Sequence, residues 1–307
     1  MHPVLFELFG YPVHIYAVAI ALGFMFGIWL VVRYGQTVGL DKAMLLDLCW
    51  WIIVAGLVGS RLAFIAVEWK QYWYPCVDVA QFNALFPDKA ITEPDCTRIL
   101  RFWNGGLVFY GGVIGAMLTI VWFLRREKVR FSPVADALIP SLALGQFFGR
   151  LGCFAAGCCF GAPSDSALAV HFPANSMPFR HHLDIGLIEP LATHSAGVHP
   201  VQLYDSLGGL ALFFILLLVR RRKRYDGQVF VWWLFIYPFW RSTVEFFRGD
   251  VERGYLTEVV VGPINDLLGL APGTPTFLST SQAISLAMLA VAVAYWWKRH
   301  PRRVTAT

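Results

Sequence analysis

The chain has 307 residues, of which 57% are apolar and only 15% charged, with a mean hydropathy of +0.56. Soluble domains carry about 45–50% apolar and about 25% charged residues, so a water-soluble core of this size could not hide so much apolar surface. The net charge of +5 fits membrane topology and attraction to lipid headgroups, and it gives no reason to expect a nucleic-acid partner.

The opening stretch HPVLFELFGYP has no basic n-region and no small-residue cleavage site ahead of the first apolar run. It reads as a short amphipathic stretch in the membrane interface, not as a cleavable signal. Seven apolar runs follow, at 15–32, 44–67, 107–124, 134–151, 203–219, 229–247 and 277–297. About 20 helical residues cross about 30 Å of hydrocarbon. The expected fold is therefore an all-α polytopic membrane bundle of about seven transmembrane helices. Asp136, Pro140 and Arg150 interrupt the fourth run, and Ser, Thr and Gln dilute the last.

Lys and Arg favour the cytoplasmic side. Of the 25, fifteen fall on one set of alternate loops: Arg33, Lys42, the 125–130 turn, Arg220 to Arg224, and Lys298 to Arg303. Seven fall on the other set, and Arg61, Arg150 and Arg241 lie within or at the ends of spans. This asymmetry predicts the N-terminus outside and the C-terminus in the cytoplasm. The long loops, about 68–102, 154–201 and 248–276, then face outward. Long structured loops commonly carry function, which directs attention to the outer face of a single integral membrane domain, 1–307. Cys76 and Cys96 share the first outer loop, an oxidising setting that permits a disulfide.

Arginine inside a span is costly and normally faces a polar interior with a partner. Arg150 closes GQFFGRLGCF. Arg241 lies mid-span in IYPFWRSTVEFFRGD, one helical turn before Glu245, and Arg61 sits in GLVGSRLAF. Structural pairing of Arg241 with Glu245, and snorkelling of Arg61 and Arg150 to headgroups, are the plain readings. The functional reading is bidentate grip on a phosphodiester by fixed guanidiniums. The glycine pairs Gly105–Gly106 and Gly111–Gly112 in WNGGLVFYGGVIG allow close helix packing or close approach of backbone to a ligand. HPVQLYDSLGG sets His199, Gln202, Tyr204 and Asp205 at the outer interface.

Taken in order, HIYAVAIALGF, GSRLAF, WNGGLVFYGGVIG, DALIPSLALGQFFGRLGCFAAGCCFG, HPVQLYD and YPFWRSTVEFFRGD resemble the prolipoprotein diacylglyceryl transferase family. These are bacterial inner-membrane enzymes that lipidate the lipobox cysteine of prolipoproteins. The resemblance implies transfer of diacylglycerol from phosphatidylglycerol to a thiol, with release of glycerol phosphate and without a cofactor. Its partners are then phosphatidylglycerol, prolipoprotein signal peptides and membrane lipids. It further implies that Arg150 and Arg241 hold the phosphate, with Tyr16, Asp136, Gly161, Tyr237 and Glu245 as site or supporting residues. Arg61, Gly106 and Gly111 join the substrate-binding candidates.

Two departures separate this chain from the family pattern. The histidine of the family's F-H-G-G segment is Tyr110 here, and a phenol is a poorer proton acceptor at neutral pH than an imidazole. The family's G-R-x-G-N-F-x-N-G-E reads GRLGCFAAGCC, which puts Cys153, Ala156 and Cys158 at the Asn, Asn and Glu positions. The lipid-phosphate half of the site is intact and the proton-transfer half is altered, so a paralogue with another acceptor is one alternative. A transporter or binding protein for an anionic lipid or metabolite is another, and a thiol oxidoreductase built on the cysteines is a third. Cys153, Cys158 and Cys159 read as small buried residues, and no metal site is assigned. Vicinal cysteines within a helix point apart.

Overall fold

The computed structural model describes residues 4–8, 11–101, 105–249, 255–263, 265 and 277–299. Ten α-helices lie among these residues: α1 (Ile15–Gln36), α2 (Lys42–Val67), α3 (Trp69–Val77), α4 (Val79–Leu85), α5 (Phe109–Arg126), α6 (Phe131–Ala156), α7 (Met177–Asp184), α8 (Val201–Arg221), α9 (Gln228–Glu245) and α10 (Thr280–Arg299). Each apolar run expected from sequence falls on one of them. Five, namely α1, α2, α6, α8 and α10, are long and apolar enough to cross a membrane. The protein is thus a mostly helical, multi-pass membrane protein. Helices α5 and α9 have 18 residues each, a rise of about 27 Å.

Two short hairpins refine the expected boundaries. The N-terminal stretch forms β1 (Val4–Leu8) and β2 (Tyr11–His14), paired antiparallel. The last apolar run begins not as helix but as β4 (Phe277–Ser279), paired with β3 (Tyr255–Val259). Helix α10 starts immediately after β4. Ser279 Oγ accepts from Gln282 N at 3.2 Å, and Gln282 Oε1 accepts from Ser279 N at 3.1 Å. The polar residues that dilute this run are a reciprocal capping box.

The described residues gather into two compact units, 1–34 with 132–307, and 35–131. In the smaller unit, α2 and α5 pack through small residues. A Cβ placed on Gly111 would collide with the Gly59 carbonyl and Ala63, and one on Gly115 would collide with the Ala55 carbonyl. This is close backbone approach of the small-xxx-small kind. Ser60 Oγ donates to Val108 O at 2.9 Å, and Val108 N donates to Ser60 O at 3.1 Å, so the entry to α5 is tied to α2. The 69–101 segment is structured, with α3, α4 and a Cys76–Cys96 disulfide closing a 20-residue separation. A cross-link of that length is worth about 3 kcal/mol through restriction of the unfolded chain.

In the larger unit, Leu30 of α1, Ile139 and Ala143 of α6, Leu212, Phe213 and Leu216 of α8, and Val229 of α9 form one buried cluster. Helix α6 tolerates Pro140 inside it. Asp136, fully buried one turn into α6, accepts from Gly227 N at 2.8 Å and Phe230 N at 3.1 Å. It therefore caps the N-terminus of α9, and Lys223 Nζ at 3.4 Å offsets part of its charge. The 157–200 segment packs around Phe160, Phe172 and Val198, with α7 begun by the side chain of Ser176.

Candidate functional site

The last turns of α6 set the site. Glycine at 152 lets Tyr16 of α1 lie against the helix, since a Cβ there would sit 3.0 Å from Tyr16 Cδ2. Arg150 projects from the same turns, and its Nε lies 2.8 Å from Asp205 Oδ2 on the first turns of α8. The other oxygen of Asp205 accepts from Gln146 Nε2 at 2.8 Å. This carboxylate is 2% exposed, and its two bonds fix the plane of the guanidinium. One edge of Arg150 is thereby occupied. Its two terminal nitrogens have no acceptor among the described residues. A charged fork is held in orientation with its outer prongs open, which suits two oxygens of a phosphate.

Arg241 is engaged differently. It is 8% exposed, with Nη1 2.6 Å from Glu245 Oε2 on the next turn and Nη2 donating to Ser281 Oγ at 2.9 Å. Tyr237, one turn before Arg241 on α9, stacks on Trp233 and lies within electrostatic reach of Arg150. Gly161 admits the backbone of His199, whose carbonyl a Cβ would strike, and bridges to Arg248. Tyr16, Cys153 and Cys159 also lie within electrostatic reach of Arg150, and Arg248 within reach of Cys159. The structure thus gathers Tyr16, Arg150, Gly161 and Tyr237 in one unit, together with Arg241 and Glu245.

Asp136 is not part of this group. It stands 14 residues before Arg150 on the same helix, about 21 Å along its axis. Its contacts are those of a helix cap, and through α9 it positions the element that carries Arg241.

The other unit holds Arg61, Gly106, Gly111 and Tyr110. All five donors of Arg61 are spent on loop carbonyls: Nε on Ile99, Nη1 on Gly105 and Gly106, and Nη2 on Arg98 and Arg101, at 2.8–3.3 Å. Its guanidinium lies 5.0 Å from the Tyr72 ring centroid. Gly105 and Gly106, at φ +84 and +80, turn two carbonyls onto it in a conformation that favours glycine. Arg61 is a clamp on the backbone at 98–101 and 105–106, and a phosphate could engage it only by releasing those carbonyls. Gly111 is a helix-packing residue. Tyr110 opens α5, half exposed, with its ring edge-on to Phe109.

Two groupings in the larger unit arise from tertiary contacts that sequence spacing did not reveal. Asp205 was visible only as one polar residue of HPVQLYD, and its pairing with Arg150 is a tertiary contact. The three cysteines converge, with sulfurs all within 4.8 Å of one another. Helix α6 ends at Ala156, and Gly157 (φ +75) and Cys159 (φ +55) turn the chain back. Cys158 and Cys159 are therefore beyond the helix, not within it. Cys158 N donates to Cys153 O at 3.2 Å, and Gln202 Nε2 holds the Cys158 carbonyl at 2.8 Å. Nearby, burial pushes the His199 imidazole below its ordinary range. Burial first, and then the neighbouring His181, do the same to His182.

Fold and site together define a multi-pass membrane protein that presents an oriented, partly unpaired arginine for an anionic group. The model of the prolipoprotein diacylglyceryl transferase family matches residues 3–298, and the chain belongs to that family. A phosphatidylglycerol–prolipoprotein diacylglyceryl transferase from Clostridium tetani is 30% identical over 293 residues, covering 95% of this chain and 96% of that protein. A phosphatidylglycerol–prolipoprotein diacylglyceryl transferase 2 from Clostridium perfringens is 29% identical, covering 94% and 92%. One from Thermosynechococcus vestitus is 28% identical, covering 76% and 77%.

Proposed function

We propose that this protein is an active transferase that moves the diacylglyceryl group of phosphatidylglycerol to the lipobox cysteine thiol of prolipoprotein signal peptides. The thiol gives up its proton to a base or to water, the sulfur attacks the glyceryl carbon, the C–O bond to phosphate breaks, and glycerol phosphate leaves with the C–O electrons. Arg150 carries the reading: its inner edge is fixed by a buried carboxylate and its outer nitrogens have no acceptor among the described residues. Those nitrogens take two phosphate oxygens and stabilise the leaving group as charge builds on it. Arg241 engages a phosphate by exchanging the neutral hydroxyl of Ser281, the weaker of its two partners, while Glu245 keeps it in place. Tyr16 and Tyr237 flank the headgroup.

The reading extends to placement. The chain forms one integral domain of seven spans in a bacterial inner membrane, with the N-terminus outside and the C-terminus in the cytoplasm. The Lys/Arg asymmetry supports this orientation, as does a disulfide in the 68–102 loop, a bond of oxidising compartments.

Purified protein, phosphatidylglycerol and a lipobox peptide should release glycerol phosphate with formation of a thioether. Arg150→Ala should lower turnover at least about 10²–10³-fold, the usual cost of one oriented transition-state donor, with insertion unchanged. Arg150→Lys should recover little, because a point charge lacks the planar fork. Turnover near wild type in Arg150→Ala would overturn the assignment.

A further inference from the structure

We infer that Cys153, Cys158 and Cys159 form a three-thiolate site for one Zn²⁺ ion, whose fourth position takes the acceptor thiol as its thiolate. The inference rests on the transferase reading and deepens it. Three sulfurs from one helix end and the turn beyond it lie within 4.8 Å of one another, all as free thiols. Around a tetrahedral zinc with bonds of about 2.3 Å, sulfurs are about 3.8 Å apart, so a contraction of about an ångström or less closes the site. The turn that brings them together has its own supports. Gly157 and Cys159 are left-handed, and the carbonyl of Cys158 is held by the buried side chain of Gln202.

Charge favours the same occupant. Three thiolates and Zn²⁺ sum to −1, and Arg150 and Arg248 lie within electrostatic reach of this cluster. Thiolates select soft or borderline ions, and three protein ligands with one open position is the arrangement of catalytic, not structural, zinc. A thiol that coordinates such an ion is deprotonated outright. The acceptor proton passes to solvent on binding, the bound sulfur forms the C–S bond, and the C–O electrons leave with the phosphate held by Arg150. This supplies the thiolate in a chain whose imidazole position is Tyr110. Sequence spacing did not convey it, because neighbours at 158 and 159 diverge if the helix continues.

The test uses full-length protein in detergent, loaded with Zn²⁺ and desalted, with metal content measured per chain. The expected result is one zinc in wild type and none in the Cys153→Ser/Cys158→Ser/Cys159→Ser variant. Should the triple variant not fold, Cys158→Ser alone should lower retention at least about tenfold. Cobalt in place of zinc should give a thiolate charge-transfer band that changes on adding a lipobox cysteine peptide and not its serine counterpart. Substoichiometric zinc in wild type, equal zinc in the variants, or a cobalt band indifferent to the cysteine peptide would each overturn the inference. Full-rate transfer by metal-stripped enzyme would overturn it while leaving the transferase reading intact. A peptide-responsive metal site in a protein that releases no glycerol phosphate would overturn the transferase reading instead.

Discussion

Asp205 never touches the lipid in the proposed reaction, yet its replacement by Asn should disable the enzyme. The amide keeps the shape and can still accept from Gln146 through its oxygen. It loses the charged acceptor 2.8 Å from Arg150 Nε. Asp205 is almost fully buried and the Arg150 side chain three-quarters so, and removing one partner of a buried pair commonly costs 3–5 kcal/mol. Arg150 relieves that cost by rotating toward water or another acceptor, which withdraws its two outer nitrogens from the phosphate. Loss of one oriented donor is worth about 2.7–4 kcal/mol, or about 10²–10³-fold in turnover. The assay is glycerol phosphate release at saturating phosphatidylglycerol, normalised to inserted, monodisperse protein. A double-mutant cycle separates orientation from folding: in an Arg150→Lys background, Asp205→Asn should cost less than about threefold, because the effect passes through the guanidinium. Asp205→Asn turning over within about threefold of wild type, or adding its full cost in the Lys background, would refute the orienting role.

Arg61→Lys should lower thermal stability and loosen the backbone at 98–101 and 105–106 toward protease, since an ammonium cannot make five bonds to divergent carbonyls; unchanged proteolysis would remove the clamp. Tyr110→Phe should slow transfer without abolishing it, and complete loss at retained lipid binding would make the hydroxyl the base. Acidification should destabilise the protein through His182 and His199. Their folded-state pKa values lie below the unfolded one, so this stability is present above about pH 6.5 and declines as pH falls below it. The unfolding midpoint should drop between pH 7.5 and 5.5, and His199→Gln should lessen the drop; a midpoint indifferent to pH in that window would sink the expectation.

The helices were legible because their signals are local. Each apolar run had the length of a span, and each fell on a helix. Boundaries were read less well where polar residues had a second use. Ser279 and Gln282 looked like dilution of an apolar run and are the capping box that starts α10. Intramembrane charge marked Arg61, Arg150 and Arg241 as residues that need partners, but charge alone does not name the partner. Only Glu245, one turn from Arg241 on the same helix, could be paired from spacing. The partners of Arg61 are backbone carbonyls 37–45 residues away, and those of Asp136 are amides 91 and 94 residues away. Such contacts leave no periodic trace in a single sequence.

The same distinction separates the arginines by role. A guanidinium has five donors, and the number left over after the fold has taken its share decides what it can bind. Arg61 has none left, so it serves the loop. Arg241 spends one N–H of each terminal nitrogen, one on a charged partner and one on a hydroxyl, so three of its five remain on a side chain that is 8% exposed, and the hydroxyl is the partner it yields first. Arg150 gives up one edge to a carboxylate that is itself held by Gln146, and keeps two nitrogens for a ligand. Three arginines that look alike in hydropathy are thus ranked by their remaining hydrogen-bond capacity, and that ranking predicts the order of their effects. Arg150→Ala should abolish transfer in folded protein, Ser281→Ala should mildly tighten lipid binding by freeing Arg241, and Arg61 variants should fail in stability before chemistry. Tighter binding in Ser281→Ala is the discriminating result, because a purely structural Arg241 would gain nothing from losing a partner. Weaker phosphatidylglycerol binding in that variant would return Arg241 to a role in packing alone.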